Sequence, residues 1–355
     1  MNRFINYYKN RKNYIRIFQM RKFRYIPENT NSNIKVHIIN YDKSGWILNK
    51  FALELEKNLK MLGVQVTVGD KPDQSADINH HIIYTSADLR IGKNSTIMIT
   101  HVDCNEKIET IKKQIENGAF GICMSKEVME RLALCGVSRD KLCYINPAQD
   151  SQIKPKKFNI GITHRCYTYD FRKRDNAIVD VCKGLDPDYF KVTIMGAGWE
   201  TIVDDLRNIN FEVDYYPDFD KQKYNEIMRE FDFFYYDGTD EGNMGYLDAL
   251  AAGIKTVVTP QGYHLDIGPA THYCSTVDDF IQVFNKYAEE RMNICNSIRN
   301  YTWENYTYKH LEIWLYLLQK ISLNDLLQNR TLYNDGIFSC VLKDIKESRK
   351  LLGVL

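Results

Sequence analysis

Short apolar runs alternate with amphipathic stretches along the chain from residue 34 to about residue 260. The runs are rich in β-branched and aromatic side chains, which is typical of strands buried on both faces. Between them, apolar residues recur at helical spacing, as in 46–62. The repeated order of strand and helix, beginning with a strand at 34–39, predicts an α/β fold with parallel sheets.

The alternation is interrupted in the polar segment 150–157, which we interpret as a linker between two doubly wound, Rossmann-like halves facing a cleft. A strand is predicted at 81–85. After residue 259 the pattern becomes helical, with helices predicted at 277–287 and 291–301. The predicted segments are a basic N-terminal arm (1–33), an N-terminal domain (34–150), a C-terminal domain (151–280), return helices (281–320) and a helical tail (321–355).

The stretch 231–259 organises the second half. It predicts a buried strand, a glycine-bearing loop, a helix beginning near Met244, and a second strand. The N-terminus of such a helix presents free backbone N–H groups, which favour an anion. Three acids, Asp240, Glu241 and Asp248, surround this anion site. We therefore expect a ligand that carries hydroxyl groups as well as phosphate.

Composition narrows the functional classes. The 355 residues carry a formal net charge of +1, so nucleic acid is not expected as a partner. The nine cysteines include no CxxC pair and no zinc spacing, which favours reduced thiols in the cytoplasm and no metal site. No apolar run reaches the roughly 18 residues of a spanning helix, and the N-terminus lacks the apolar segment of a signal peptide.

The N-terminal arm has eight lysines and arginines before its first acid, Glu28, with aromatic residues and isoleucines between them. One interpretation is a basic amphipathic helix in residues 1–30 that lies on an anionic membrane surface. The other is an arm that packs on the protein and exposes its charges to water. The sequence leaves both interpretations open.

Four segments resemble the GT-B glycosyltransferases, specifically the large retaining family called group 1 or family 4. Segment 118–150 resembles the last segment of that family's N-domain, and 159–175 resembles the first strand and basic loop of its C-domain. The stretch EGNMGYLDALAAGIKTVVT resembles the motif EGFGLPLLEAMAxGTPVVAS, and Tyr301–Glu304 resembles the motif that begins the helix crossing back to the N-domain. Asp240 and Asp248 replace two glutamates of the motif, and Ser44-Gly45 replaces a glycine pair.

The resemblance implies a GT-B fold with a nucleotide-sugar site that needs no metal or other cofactor. A diphosphate then requires basic side chains and backbone N–H groups. Arg165 with Lys173 or Arg174 would bind the diphosphate, together with the backbone N–H groups of Asn243, Met244 and Gly245. Asp248 would bind the ribose. His101 and either Asp240 or Glu241 would contact the donor sugar, and Gly45 would lie on the acceptor side.

The resemblance also implies an activity. We expect a glycosyltransferase of the hexosyltransferase type that transfers a sugar from a nucleotide-sugar donor to a glycan or a lipid-linked glycan, with retention of configuration. Such an enzyme of polysaccharide biosynthesis would work at the inner face of the membrane. Two alternatives remain: a sugar-nucleotide epimerase of the same fold, and a non-catalytic member that binds a nucleotide sugar.

The membrane interpretation of the arm predicts that deletion of residues 1–30 weakens binding to vesicles containing anionic lipid. Each basic residue near such a surface contributes about 1 kcal/mol. Co-sedimentation with anionic and with neutral vesicles measures the effect. Equal binding of the full and shortened chains to anionic vesicles would refute this interpretation.

Overall fold

The computed structural model describes residues 34–326, except 43, 88–90, 92–93, 151, 168–171 and 268–270. The N-terminal arm and most of the predicted helical tail lie outside the described residues. The chain divides into two compact units. Unit 1 contains the residues up to Asp150 and those from Asn300 onward, and unit 2 is Ser151–Arg299.

Unit 1 contains a sheet of six parallel strands in the order β2-β1-β3-β4-β5-β6. Side chains of α1 and α4 bury one face of this sheet, and those of α2 and α3 bury the other. The elements are β1 (Lys35–Ile39), α1 (Ile47–Met61), β2 (Gln65–Gly69), β3 (Ile78–His81), β4 (Ser95–Ile99), α2 (Asn105–Glu116), β5 (Phe120–Cys123), α3 (Lys126–Leu134), β6 (Leu142–Tyr144) and the returning helix α4 (Trp303–Leu317).

Unit 2 repeats this architecture with six parallel strands in the order β12-β11-β10-β7-β8-β9. Alternate side chains of β10 enter separate cores on the two faces, which explains its continuous run of aromatic residues. The elements are β7 (Phe158–Ile162), α5 (Ala177–Lys183), β8 (Phe190–Met195), α6 (Glu200–Asn208), β9 (Glu212–Tyr216), α7 (Lys221–Glu230), β10 (Phe233–Tyr236), α8 (Met244–Ala251), β11 (Lys255–Val258), β12 (Thr271–Tyr273) and α9 (Val277–Ser297).

Side-chain caps define where several helices begin. Ser125 accepts a hydrogen bond from the Val128 backbone N–H at the start of α3, as its position in the sequence predicted. Asp220 caps α7 in the same way. At α9, Thr276 and Asp279 form a reciprocal capping box, so the long helix begins at a sharply defined residue.

The return of the chain to unit 1 depends on α4, whose Trp314 is completely buried. The Trp314 indole Nε1 donates a hydrogen bond to Thr96 Oγ1 on β4 at 3.2 Å. The same hydroxyl lies 2.9 Å from His80 Nδ1 on β3. The helix is therefore attached to the middle of the sheet by a hydrogen bond as well as by apolar packing. Two Rossmann-like sheets and a returning C-terminal helix confirm the components of the predicted GT-B fold.

Three predicted elements were wrong. The strand predicted at 81–85 lies instead at Ile78–His81. It cannot extend further, because the neighbouring strand β1 ends at Ile39, which pairs with His81. The next residues turn into a short 3₁₀ helix, Tyr84–Ser86. The helices predicted at 277–287 and 291–301 are one helix, since no glycine or proline separates them. Strand β12 was not predicted, because it has only three residues.

No helix in the described part of the chain is long and apolar enough to cross a membrane. The cysteines within the described residues are free thiols, and several are buried in the two units. Burial raises the pKa of the Cys166 and Cys274 thiols to about 12. The buried thiols are therefore protonated and pack as small apolar groups.

Replacing Trp314 with alanine is expected to destabilise the fold by about 3–5 kcal/mol, because it leaves a large cavity and removes the bond to Thr96. The free energy of unfolding from denaturant titration measures this loss. Trp46→Ala is the matched control, since the Trp46 side chain is 77% exposed, and it should cost less than about 0.5 kcal/mol. Equal losses in the two variants would contradict the anchoring role of Trp314.

Candidate functional site in unit 2

A cavity of about 510 Å³ lies at the carboxyl ends of the strands in unit 2. From β7 the chain passes to β8 and β9 on one side, and then to β10 on the other side. This reversal separates the loops after β7 and β10, which is where open α/β sheets bind ligands. The cavity is lined by Thr163, His164, Arg165, Met195, Gly196, Ala197, Pro217, Asp218, Phe219, Tyr224, Asn243, Met244, Gly245 and Asp248.

Five of the candidate residues line this cavity: Arg165, Asn243, Met244, Gly245 and Asp248. In the structure, one basic side chain, one helix N-terminus and one acidic side chain from the predicted set thus surround a common cavity. The other candidates in unit 2 lie outside the lining, namely Lys173, Arg174, Asp240 and Glu241.

The basic loop after β7 holds two of its cations over one aromatic ring. Arg165 lies 5.4 Å and Lys173 lies 5.5 Å from the centre of the Tyr167 ring, which is half exposed. Attraction to the face of the ring offsets part of the repulsion between the two cations. Tyr167 therefore keeps the positive charge of Lys173 close to the cavity wall that Arg165 forms.

Arg174 points elsewhere. Its guanidinium forms an ion pair with Asp237, and its backbone N–H donates to the Asp237 carbonyl at 3.0 Å. Asp237 is 2% exposed, and burial raises its pKa to about 6 although Arg174 opposes the shift. Within the described residues, Lys173 makes no such ion pair. Of the two alternatives that the sequence left open, Arg174 is thus paired with a buried acid, whereas Lys173 lies against the same aromatic ring as Arg165.

Asn243 caps α8 and is bonded through every polar group it has. Its Oδ1 accepts from the Gly245 backbone N–H at 2.8 Å. Its own backbone N–H donates to His264 Nε2 at 3.2 Å, and its Nδ2 lies 3.2 Å from His164 Nδ1. Of the three predicted backbone donors, two are therefore already occupied within the protein. Only the Met244 N–H has no acceptor among the described residues.

A chain of hydrogen bonds connects the basic loop to this cap. His164 Nε2 lies 2.7 Å from Asp175 Oδ1, and both side chains are nearly buried. Because a carboxylate only accepts, Nε2 carries the proton, and His164 Nδ1 accepts from the Asn243 amide. The ring also packs edge-on against Trp199 and Tyr236. No role was predicted for His164 or Asp175, because neither side chain forms a recognisable motif.

His264 holds the cap from the opposite side. It is completely buried, and its Nδ1 lies 3.1 Å from the Thr259 carbonyl, to which it donates. Its Nε2 is then the acceptor for the Asn243 backbone N–H. Burial lowers the pKa of His264, which keeps the ring neutral as this arrangement requires.

Gly245 allows the helix to start close to β7. A Cβ atom at this position would lie 2.2 Å from Thr163 Oγ1 and 3.0 Å from the Phe234 ring. The first turn of α8 therefore approaches the carboxyl end of β7 more closely than any residue with a side chain permits.

The two neighbouring acids of the loop differ in environment. Asp240 Oδ1 accepts hydrogen bonds from the Tyr236 hydroxyl and, at 3.2 Å, from the Gly242 backbone N–H. Burial and this carboxylate raise the pKa of Tyr236, which therefore stays a donor. Glu241 has an exposed side chain. Asp240 supports the loop, whereas Glu241 points to solvent.

Two further candidates belong to unit 1. His101 follows β4 with an exposed side chain, and its carbonyl accepts from the Tyr84 hydroxyl at 2.8 Å. Gly45 has a φ of +77°, with open space where a Cβ atom would lie, and makes the turn before α1. Among the described residues, no group of three or more His, Cys, Asp or Glu side chains is arranged to bind a metal ion.

No protein-family model matches the sequence, and no curated protein is significantly similar to it. Solved structures resemble it. Anabaena Alr3699/HepE in complex with UDP and glucose is 10% identical, with 86% of this chain and 100% of that chain covered and a TM-score of 0.32. The lipopolysaccharide outer core galactosyltransferase WaaB is 15% identical, with 81% and 100% covered and a TM-score of 0.33.

Sucrose-phosphate synthase from Thermosynechococcus elongatus is 11% identical, with 81% of this chain and 100% of that chain covered and a TM-score of 0.34. At such values the likeness carries no information about substrate or mechanism. The Rossmann-like character of each unit rests on its own strand order.

His264 should make the fold sensitive to acid. The unfolded chain binds a proton at this residue near the ordinary pKa of 6.5, whereas the folded chain binds it only at a lower pH. Stability therefore falls as the pH drops below 6.5 and becomes constant below the lowered pKa. In His264→Gln, we expect a smaller difference in melting temperature between pH 7.5 and pH 5 than in the wild type.

His101→Gln is the control, because this histidine is exposed and should leave the pH dependence unchanged. Thermal unfolding of all three proteins at both pH values makes the comparison. An unchanged pH dependence in His264→Gln would show that His264 contributes nothing to acid sensitivity.

Proposed function

We propose that the chain is a glycosyltransferase that uses a nucleotide-sugar donor bound in the unit 2 cavity. The observation that carries the proposal is the joint placement of Arg165, the N-terminus of α8 and Asp248 around one space. A base and a helix N-terminus suit a diphosphate, and an exposed carboxylate suits sugar hydroxyls. The motifs of the sequence that resemble family 4 glycosyltransferases contain these same residues.

Cleavage of the donor's glycosidic bond leaves a nucleoside diphosphate, whose negative charge must be stabilised. Arg165 and Lys173 would supply the positive charge, and the Met244 N–H would add a backbone donor. This set needs no metal ion. Asp248 would bind the ribose, while the exposed Glu241 is better placed than Asp240 to contact the transferred sugar.

The remaining parts of the proposal rest on the sequence resemblance. The sugar is a hexose, and its anomeric configuration is retained. The acceptor is a growing glycan or lipid-linked glycan, and the basic arm would hold the enzyme at the inner face of an anionic membrane. His101 contacts the donor sugar, and Gly45 lies on the acceptor side. An epimerase or a non-catalytic binding protein of the same fold would share the donor site.

A thermal-shift screen with UDP-, GDP- and ADP-sugars tests the donor site, since a ligand that binds only the folded chain raises its melting temperature. Asp248→Ala and Arg165→Ala should each weaken donor binding by about 10- to 100-fold, because each removes a charge-assisted contact. Asp204→Ala and Arg207→Ala are matched controls on the exposed surface of α6, and they should bind like the wild type.

Product analysis separates the alternatives. Transfer to an added glycan acceptor supports a transferase, whereas conversion of the donor sugar without acceptor supports an epimerase. Binding without turnover indicates the non-catalytic member. Wild-type affinity and rate in both Asp248→Ala and Arg165→Ala would refute the assigned site.

A further inference from the structure

Asp248 is not alone at the cavity wall. It lies in the second turn of α8, and its Oδ2 accepts a hydrogen bond from the Tyr224 hydroxyl of α7 at 2.6 Å. Both residues line the cavity. The Tyr224 ring is half buried and packs against Phe219, with 5.5 Å between the ring centres. The acid and the phenol therefore form one polar unit supported by an aromatic contact.

The hydrogen bond determines what this unit offers to a ligand. The Tyr224 proton is directed to Asp248, so toward any other group the phenol oxygen acts as an acceptor, and the Thr163 hydroxyl is one neighbour that interacts with it in this way. Burial and the neighbouring carboxylate both raise the pKa of Tyr224, so the phenol stays protonated at neutral pH. Asp248 Oδ1 is a second acceptor beside the first. The unit therefore presents two adjacent acceptors, which match the two adjacent hydroxyl donors of a cis-diol.

We propose that Tyr224 and Asp248 together bind the 2′- and 3′-hydroxyls of the donor ribose, and that Tyr224 sets the preference for ribonucleotides over deoxyribonucleotides. This inference rests on the proposed donor site and adds a specificity-determining residue to it. Asp248 is one methylene shorter than the glutamate of the motif that the sequence resembles. The phenol oxygen supplies the second acceptor, so that the short carboxylate need not contact both hydroxyls itself.

The test measures ligand affinity by isothermal titration calorimetry for the wild type, Tyr224→Phe and Tyr216→Phe. The ligands are UDP, 2′-deoxy-UDP, 3′-deoxy-UDP, the corresponding guanine nucleotides and pyrophosphate. Tyr216→Phe is the matched control, because its hydroxyl bonds to no described residue and it does not line the cavity. In the wild type, removal of either ribose hydroxyl should weaken binding by about tenfold.

In Tyr224→Phe, we expect binding of the ribonucleotide to weaken by about five- to tenfold, while one of the two deoxynucleotides binds as it does to the wild type. The preference for that hydroxyl is then lost. Binding of pyrophosphate should stay unchanged, which shows that the phosphate part of the site is intact. Tyr216→Phe should keep the full preference.

Three results would overturn the inference. If Tyr224→Phe keeps the wild-type preference for both hydroxyls, the phenol does not contact the ribose hydroxyls. The proposed donor site is not contradicted by that result. If the variant also loses pyrophosphate binding, Tyr224 acts only through the structure of the cavity. If no nucleoside diphosphate binds the wild type, the proposed function fails together with the inference.

Discussion

The hydrogen bonds of Asn243 hold the site together. One short side chain and its backbone N–H connect the start of α8 to His164, which follows β7, and to His264, which follows β11. Because α8 has only eight residues, its N-terminus has little rigidity of its own. The two neutral histidines fix its position. Met244 and Asp248 consequently line the cavity from a helix whose start is fixed.

This constraint also explains how unit 2 uses its buried polar groups. Asp175 orients His164, and Asp237 holds the guanidinium of Arg174. His164 and Arg174, which both follow β7, thus each bond to a buried carboxylate within the unit. Arg165 and Lys173 instead lie against the ring of Tyr167, and neither forms an ion pair within the described residues. A basic side chain that contacts a buried acid, such as Arg174, has a structural role. A basic side chain without such a contact can interact with a ligand.

The sequence predicted the two parallel sheets well, because strands buried on both faces leave continuous apolar runs such as β10. It also singled out the part of the cavity wall that lies on one strand–loop–helix, from Asn243 to Asp248. It did not identify His164 or Tyr224, because these residues reach the site from separate segments that only the folded sheet brings together. It assigned free N–H groups to Asn243 and Gly245, since periodicity gives no information about which acceptors lie nearby.

The return of the chain to unit 1 has a consequence for biosynthesis. Unit 2 is a continuous stretch of sequence, whereas unit 1 requires Trp314 and the rest of α4 to complete the core over β3 and β4. A ribosome releases the first six strands long before it makes this helix. Unit 2 can therefore reach its final structure during synthesis, while one face of the older sheet stays uncovered until α4 has been made. The half whose strands are made first thus receives the last segment of its core only after the other half has been made.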